Sequence, residues 1–177
     1  MAGDIKKIVF VTGGARSGKS FFTMSEALKI KGRKAYIATA EALDAEMKER
    51  IEKHKKDRGD EWDTYEEPLD ISDAINKIKD KYSVILVDCL TLWLSNLLIN
   101  DKVVEKEISR FLDSLSSTSC TLYIVSNEVG MGIVPENELA RRFRDLAGML
   151  NQKAAEIADD VYMVVAGIPL KIKSSIK

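Results

Sequence analysis

The chain has few of the residues that build disulfide frameworks or zinc sites. Its 177 residues include two cysteines, Cys89 and Cys120, and a single histidine, His54. The cysteines lie far apart, and no histidine or further cysteine stands at metal-ligand spacing from either of them. Neither a disulfide scaffold nor a zinc site is therefore predicted. We expect two reduced, buried thiols.

The chain also lacks an excess of one charge and a long hydrophobic run. A net charge of −1 gives no electrostatic attraction toward nucleic acid. The longest apolar stretch, 90–99, is interrupted by Thr91, Ser95 and Asn96, and residues 1–7 lack the apolar core of a signal peptide. We expect no membrane span, no nucleic-acid partner and a cytoplasmic location.

The hydrophobic content of 45% over this length predicts a single domain, residues 1–177, with one core. Short, continuously apolar runs alternate with helix-like segments along the chain. Such runs are typical of strands that helices cover on both faces, so they predict a doubly wound, mostly parallel α/β sheet. The predicted strands are 8–11, 35–38, 84–87, 122–125 and 161–165, and a last antiparallel edge strand is expected at 170–173.

A glycine-rich segment, 13–20, follows the first predicted strand and precedes a predicted helix at 21–30. It reads GGARSGKS and matches the pattern G-x-x-x-x-G-K-[ST]. In a P-loop of this type, backbone N–H groups at a helix N-terminus cradle phosphate oxygens. Lys19 would neutralise the outer phosphates, and the Ser20 hydroxyl would ligate Mg²⁺. A strand-to-helix turn without a ligand is the alternative, which the flanking strand and helix disfavour.

Two further strand ends carry polar side chains. Asp88 ends a predicted strand, where doubly wound sheets bind their ligands. Asp88 could be a carboxylate ligand of Mg²⁺ beside Ser20, or it could be the N-cap of the next helix. The presence of the P-loop favours the magnesium ligand. Asn127 and Glu128 follow another strand, and the glycines of 127–132 predict either a substrate loop or an ordinary connection. For the segment 127–132, the sequence does not decide between these two alternatives.

A long amphipathic helix is predicted over 135–159. Its buried face is expected to contain Leu139, Phe143, Leu146, Leu150, Ala154 and Ile157. Arg141, Arg142 and Arg144 lie elsewhere around this helix, where they could meet phosphate or a neighbouring subunit. The favoured alternative is a solvated face on which Arg141 pairs with Asp145.

His54 lies in a charged segment that reads as a helix. At about 100° per residue, it shares the apolar face of that helix with Leu43, Met47 and Ile51. An inward histidine is more often a core residue than a catalyst. The cations beside it, Lys55, Lys56 and Arg58, favour a place where phosphate binds.

Several stretches together resemble one known family. They are VTGGARSGKS, ATAEALDAEMKERIEKHKKDR with TYEEP after it, VDCLTLWLSNLL, and SNEVGMGIVPENELARRFRDLAGMLNQ followed by VVAGIPLKIK. In this order they are similar to the bifunctional adenosylcobinamide kinase / adenosylcobinamide-phosphate guanylyltransferase family. The resemblance covers nearly the whole chain, and its NEVGMGIVPEN block is highly specific.

The resemblance implies two steps of cobalamin synthesis. ATP or GTP phosphorylates the aminopropanol hydroxyl of adenosylcobinamide, and GTP then donates GMP to that phosphate, which gives adenosylcobinamide-GDP and pyrophosphate. His54, in an R-I-x-x-H pattern, is implied as the guanylylated catalytic residue, alongside Lys19. The resemblance further implies a homotrimer, while the P-loop and the strand end themselves predict Mg²⁺ at Ser20 and Asp88. The implied nucleotide contacts are Gly13, Gly14, Ala15, Arg16, Ser17, Gly18, Lys19, Ser20, Ile37, Ala38, Thr39, Lys55, Lys56, Asp57, Arg58, Glu66 and Asp88.

Helix geometry adds one expectation about His54. A helix that begins near Ala42 would place His54 roughly 18 Å along its axis. We therefore expect His54 to be remote from the P-loop before nucleotide binds, so that guanylylation needs helix movement or a subunit boundary. Two other functions stay open: a P-loop kinase for another small hydroxyl compound, and a nucleotide-switched binding module whose loop 127–132 engages a partner protein.

Overall fold

The structure is a computed structural model that describes residues 6–42 and 45–175, without the side chains of Glu46, Arg50, Lys53, His54 and Asp57. The described strands are β1 (Ile8–Gly13), β2 (Lys34–Ala38), β3 (Trp62–Glu66), β4 (Val84–Asp88), β5 (Thr121–Asn127), β6 (Asp160–Val165) and β7 (Ile168–Ser174). The described helices are α1 (Lys19–Leu28), α2 (Ala45–Arg58), α3 (Ile71–Ile78), α4 (Leu90–Ile99), α5 (Val104–Ser116) and α6 (Glu138–Ile157).

The described strands form one seven-stranded sheet in the order β3-β2-β4-β5-β1-β6-β7. Every neighbouring pair is parallel except β6 and β7, which are antiparallel. This confirms the predicted fold class, including its antiparallel edge strand. Parallel strands end at the same edge of a sheet, so the segments that follow β1, β2, β4 and β5 meet there.

The sheet is packed on both faces. One face carries Phe10, Ile85 and Ile124 against Trp93 and Phe111 of the helices α4 and α5. The opposite face carries Val11, Leu86 and Val125 against Ala27 of α1. Strands buried on both sides cannot alternate polar and apolar residues, which explains the continuous apolar runs of the sequence.

The edge strand β3 was not among the predicted strands. It pairs with β2 at the edge of the sheet, and its Trp62 is buried while Asp63, Thr64 and Glu66 are exposed. Its polar composition therefore reflects solvent on one side, and it lacks the apolar run of the central strands.

The helix α6 begins later than predicted. Asn137 caps it by accepting a hydrogen bond from the backbone N–H of Ala140 at 3.1 Å, so Pro135 lies outside the helix. Leu139 is 61% exposed, and its predicted burial is wrong because the first turn of α6 extends beyond the core.

The predicted pair of Arg141 and Asp145 is also wrong. The guanidinium of Arg141 turns back to donate to the carbonyl oxygens of Pro135 and Glu136. Asp145 is paired with Arg144 at 3.0 Å. Arg141 therefore stabilises the segment that precedes α6. It does not form the predicted ion pair along the helix.

The two cysteines are free and buried, as predicted. Burial raises the pKa of both thiols to about 11. Within residues 6–42 and 45–175, no helix combines the length and the hydropathy that crossing a membrane requires.

Candidate active site

A cavity of about 950 Å³ opens at the carboxyl edge of the sheet. The P-loop residues 15–20 line it, together with residues at the ends of four strands: Ala38, Glu66, Asp88 and Asn127. One side of α2 also borders this cavity. The sheet edge therefore brings the P-loop, the strand-end carboxylates and the cationic helix to a single site.

The backbone of the P-loop depends on glycine at two positions. Gly18 precedes α1 with a φ of 94°, a left-handed conformation that side chains with a Cβ rarely adopt. A Cβ on Gly13 would lie 2.4 Å from the carbonyl oxygen of Val164. The backbone N–H of Gly167 donates to the carbonyl oxygen of Ser17 at 2.8 Å, so the β6–β7 turn supports the loop.

Lys19 lies in the first turn of α1 and is buried. Its ammonium group donates a hydrogen bond to the carbonyl oxygen of Gly14 at 3.1 Å. Burial lowers the pKa of Lys19, while the nearby Cys89 and Asp88 oppose that shift. The site therefore holds its cation where charge is poorly solvated, which strengthens its interaction with a phosphate.

Asp88 is the last residue of β4 and is half-buried at the cavity. Its Oδ2 atom accepts a hydrogen bond from the Tyr36 hydroxyl at 2.7 Å. The N-cap position of α4 belongs to Cys89, and no side chain caps that helix. The alternative that Asp88 serves as an N-cap is therefore wrong.

Three residues at the end of β2, 37–39, were predicted to contact the nucleotide. Two of them do not line the cavity. Ile37 is fully buried in the core. The Thr39 hydroxyl donates to the carbonyl oxygen of Cys89 and accepts from its N–H, both at 2.8 Å, which ties β2 to β4. Ala38, between them, does line the cavity.

The helix α2 presents a row of side chains to the cavity: Lys48, Ile51, Glu52, Lys55 and Arg58. Lys55 forms an ion pair with Glu66 at the end of β3. Arg58 is buried, and its guanidinium lies 4.0 Å from the centre of the Tyr36 ring. Lys56 is exposed and does not line the cavity.

The side chains of His54 and Asp57 lie outside the described part of the chain. Position 54 is in the middle of α2, between the cavity-lining positions 51 and 55. The expected separation of His54 from the P-loop therefore stays a prediction. The expectation also assumed a helix that begins near Ala42, and Ala42 itself is not helical.

Sequence reasoning missed several residues that line the cavity, among them Tyr36 and Phe21. Tyr36 lies within an apolar strand and carried no motif of its own. The available signal was its spacing of two residues from Ala38, which places both side chains on the same face of the sheet. Phe21, directly after the P-loop, is 76% exposed and lines the cavity. An aromatic next to a phosphate loop was the available signal for it.

The oxygen donors of the cavity suit a magnesium ion that a nucleotide delivers. Among the described residues, no group of three or more His, Cys, Asp or Glu side chains could hold a metal ion. The Ser20 hydroxyl and the Asp88 carboxylate line the same cavity. Mg²⁺ commonly binds through one or two protein oxygens and takes its other ligands from phosphate and water, so this donor set fits it.

A sequence model described as cobinamide kinase / cobinamide phosphate guanyltransferase, CobU, matches residues 9–172. The chain belongs to this family. Its relatives include the bifunctional adenosylcobalamin biosynthesis protein CobP of Pseudomonas aeruginosa, 42% identical over 92% of this chain and 95% of the relative. The proteins named CobU in Escherichia coli and Salmonella typhimurium are 38% and 41% identical over 94% of this chain and 99% of each relative.

A solved structure of another protein has a fold similar to that of this chain. The crystal structure of the RadB recombinase superposes with a TM-score of 0.51 and 15% sequence identity, covering 89% of this chain and 73% of that one. At this identity the likeness concerns the fold alone.

Proposed function

We propose that this chain performs both reactions named in the description of its family, as a single catalytic domain. It phosphorylates adenosylcobinamide with ATP or GTP, and it then transfers GMP from GTP to the resulting phosphate. The observation that carries the proposal is one cavity shared by the P-loop and the cationic helix α2. The similarity to three bifunctional relatives over nearly their whole length supports it.

In the kinase step, the P-loop holds the nucleotide phosphates through its backbone N–H groups. Lys19 neutralises the outer phosphates, and Ser20 and Asp88 would hold Mg²⁺, which offsets phosphate charge when it is bound. The γ-phosphorus forms a bond to the substrate hydroxyl oxygen while its bond to the β-phosphate oxygen breaks. The hydroxyl proton leaves to solvent or base.

In the transferase step, His54 is the nucleophile. A neutral imidazole carries one unprotonated ring nitrogen, which can attack the α-phosphorus of GTP. A P–N bond forms, and the bond to the departing pyrophosphate breaks. An oxygen of adenosylcobinamide phosphate then attacks the same phosphorus and releases the histidine. Lys55 and Arg58, which line the cavity beside position 54, would stabilise the developing charge.

The family resemblance also supports a homotrimeric enzyme in the cytoplasm. A subunit boundary near α2 would then place cations of two chains around one nucleotide. Sedimentation equilibrium with and without GTP measures this assembly, and a monomer under both conditions would contradict it.

The deciding experiment incubates the protein with α-labelled GTP and Mg²⁺, denatures it and measures the retained label. Wild type should retain label that acid releases and base does not, as a phosphoramidate requires. His54→Asn should retain none, yet still phosphorylate adenosylcobinamide. The matched control is Lys56→Ala, which removes an exposed cation of the same helix and should label normally.

The other outcomes separate the alternatives. Phosphorylation of adenosylcobinamide without any protein label would leave a simple kinase. Slow nucleotide hydrolysis without either transfer would indicate a nucleotide-switched binding module. Label that His54→Asn retains in full would exclude His54 as the nucleophile.

A further inference from the structure

Tyr36 contacts both charged sides of the cavity. It lies in the middle of β2 and is 4% exposed. Its hydroxyl donates to Oδ2 of Asp88 at 2.7 Å, and its ring lies under the Arg58 guanidinium at 4.0 Å. The ring of Trp62 packs edge-on against it, with centroids 6.0 Å apart and planes at 90°. One buried side chain thus joins an anion and a cation that line the same site.

We infer that Tyr36 is a positioning residue that sets the carboxylate of Asp88 for a nucleotide-bound Mg²⁺ and holds Arg58 beside the phosphates. The inference rests on the proposed function, because it assigns Tyr36 a part in each of the two reactions. The hydroxyl serves the P-loop side of the cavity, and the ring serves the side formed by α2.

The hydroxyl side of this arrangement concerns Asp88. A carboxylate at a strand end can rotate about its side-chain bonds, and a hydrogen bond to one oxygen selects one rotation. Among the described residues, the donor to the Asp88 carboxylate is the Tyr36 hydroxyl, so this bond favours one rotation of the carboxylate.

The ring side concerns Arg58, the last residue of α2. The guanidinium stacks on the face of the Tyr36 ring, so the ring fixes the position of this cation at the cavity. The ring itself is fixed by Trp62 and by burial, so it provides a rigid base for the helix end. Because α2 also carries position 54, the same contact locates the C-terminal half of the helix relative to the P-loop.

The two contacts can be separated by substitution. Tyr36→Phe removes the hydroxyl and keeps a ring that can stack on Arg58. We expect the kinase turnover to fall roughly tenfold, since a hydrogen bond to a charged group is lost, while protein labelling at saturating GTP and Mg²⁺ stays near wild type. Tyr36→Leu removes both contacts and should impair both reactions.

A matched control comes from the neighbouring strand. The Tyr65 hydroxyl hydrogen-bonds the Tyr82 hydroxyl at 2.8 Å, and Tyr65 does not line the cavity. Tyr65→Phe therefore removes an equivalent hydroxyl next to the site without touching Asp88. Both of its activities should match wild type.

A binding measurement distinguishes positioning from a structural defect. The affinity for a non-hydrolysable GTP analogue is measured with Mg²⁺ and with a chelator, and the ratio is the gain due to Mg²⁺. Tyr36→Phe should reduce this gain roughly tenfold and leave the affinity in chelator unchanged. A variant that was merely less well folded would lose affinity under both conditions.

A double-mutant cycle tests whether Tyr36 acts through Asp88. In the Asp88→Asn background, Tyr36→Phe should cause no further loss of the Mg²⁺ gain. A full, additive loss would overturn the inference, and so would a Tyr36→Phe protein with the wild-type gain and turnover. A wild-type protein without any Mg²⁺ gain would overturn it as well.

The binding assay needs no corrinoid. A wild-type protein that shows the Mg²⁺ gain but does not phosphorylate adenosylcobinamide would refute the proposed function. The part of Tyr36 in orienting Asp88 would still be read from the binding ratio, so the two failures remain distinguishable.

Discussion

The ammonium group of Lys19 donates a hydrogen bond to the carbonyl oxygen of Gly14, 3.1 Å away in the same loop. Lys19 is 8% exposed, and burial lowers its pKa. Burying the Lys19 ammonium group therefore lowers the free energy of unfolding. Buried charges that destabilise a protein commonly serve binding or catalysis.

We expect Lys19→Met to lose kinase turnover by at least about a hundredfold, because the outer phosphates lose their cation. The same variant should be more stable at pH 7 by about 1 kcal/mol, since a buried charge is removed. The unfolded chain binds the lysine proton more tightly than the native protein. Wild-type stability should therefore approach that of the variant as the pH rises toward the ordinary lysine pKa of about 10.4.

Urea unfolding of both proteins at pH 7 and pH 10 measures this difference. A variant less stable than wild type at pH 7 would show that the hydrogen bond to Gly14 outweighs the cost of burying the charge.

The two adjacent glycines of the P-loop should respond differently to alanine. A Cβ at Gly13 would lie 2.4 Å from the carbonyl oxygen of Val164 and 2.7 Å from Oγ of Ser17, whereas a Cβ at Gly14 meets nothing within 4 Å. Because a backbone carbonyl cannot yield without moving β6, we expect Gly13→Ala to lower the free energy of unfolding by about 1–3 kcal/mol. Nucleotide affinity should fall with it.

Gly14→Ala is the matched control, and its free energy of unfolding should change by less than about 0.5 kcal/mol. Denaturant titration and nucleotide titration of the pair test both statements. Equal losses for the two variants would contradict the close contact at Gly13.

The carboxylate of Asp160, on β6, connects the antiparallel pair β6 and β7 to Lys7, the residue before β1. Its side chain is 7% exposed and receives hydrogen bonds and charge from Lys171 on β7 and from Lys7. Burial opposes its ionisation, but the two ammonium groups outweigh burial and hold the pKa of Asp160 below its ordinary value. Its ionised form therefore stabilises the native protein.

We expect Asp160→Asn to lower the free energy of unfolding at pH 7 by about 1–3 kcal/mol. A lowered carboxyl pKa gives stability that is present above the unfolded pKa of about 3.9 and is lost as the pH falls through the folded pKa. The difference between variant and wild type should thus shrink below about pH 4. Asp145→Asn, which affects an exposed pair, should leave stability unchanged.

The loop after β5 exposes apolar side chains beside the cavity. It follows Asn127, the last residue of β5, which lines the cavity. In this loop, Met131 and Ile133 are 76% and 97% exposed. An exposed apolar cluster next to a site is typical of a binding surface. We expect Ile133→Ser to raise the KM for adenosylcobinamide roughly tenfold without changing the unfolding temperature.

Ile99→Ser is the control for this loop, because Ile99 is 63% exposed at the far end of α4. Steady-state kinetics of both variants decide between a substrate loop and an ordinary connection. An unchanged KM in Ile133→Ser would indicate that the segment after β5 is an ordinary connection.

Local patterns predicted most of the sheet. The central strands are continuously apolar, and their observed bounds differ from the predicted ones by two residues at most. The edge strand β3 was missed because solvent on one side permits polar residues such as Asp63 and Thr64. The start of α6 was misplaced because the cap at Asn137, and not Pro135, begins the helix.

The sequence by itself determined the P-loop, the parallel sheet and the family. Each of them depends on patterns within short contiguous segments, which are the glycine-lysine motif, the continuous apolar runs and the family's sequence blocks. Only the tertiary structure decided which side chains share the cavity. Lys55 and Arg58 reach it and Lys56 does not, since helix packing selects one face of α2. Tyr36 meets Asp88 because β2 and β4, 52 residues apart along the chain at this contact, are neighbours in the sheet.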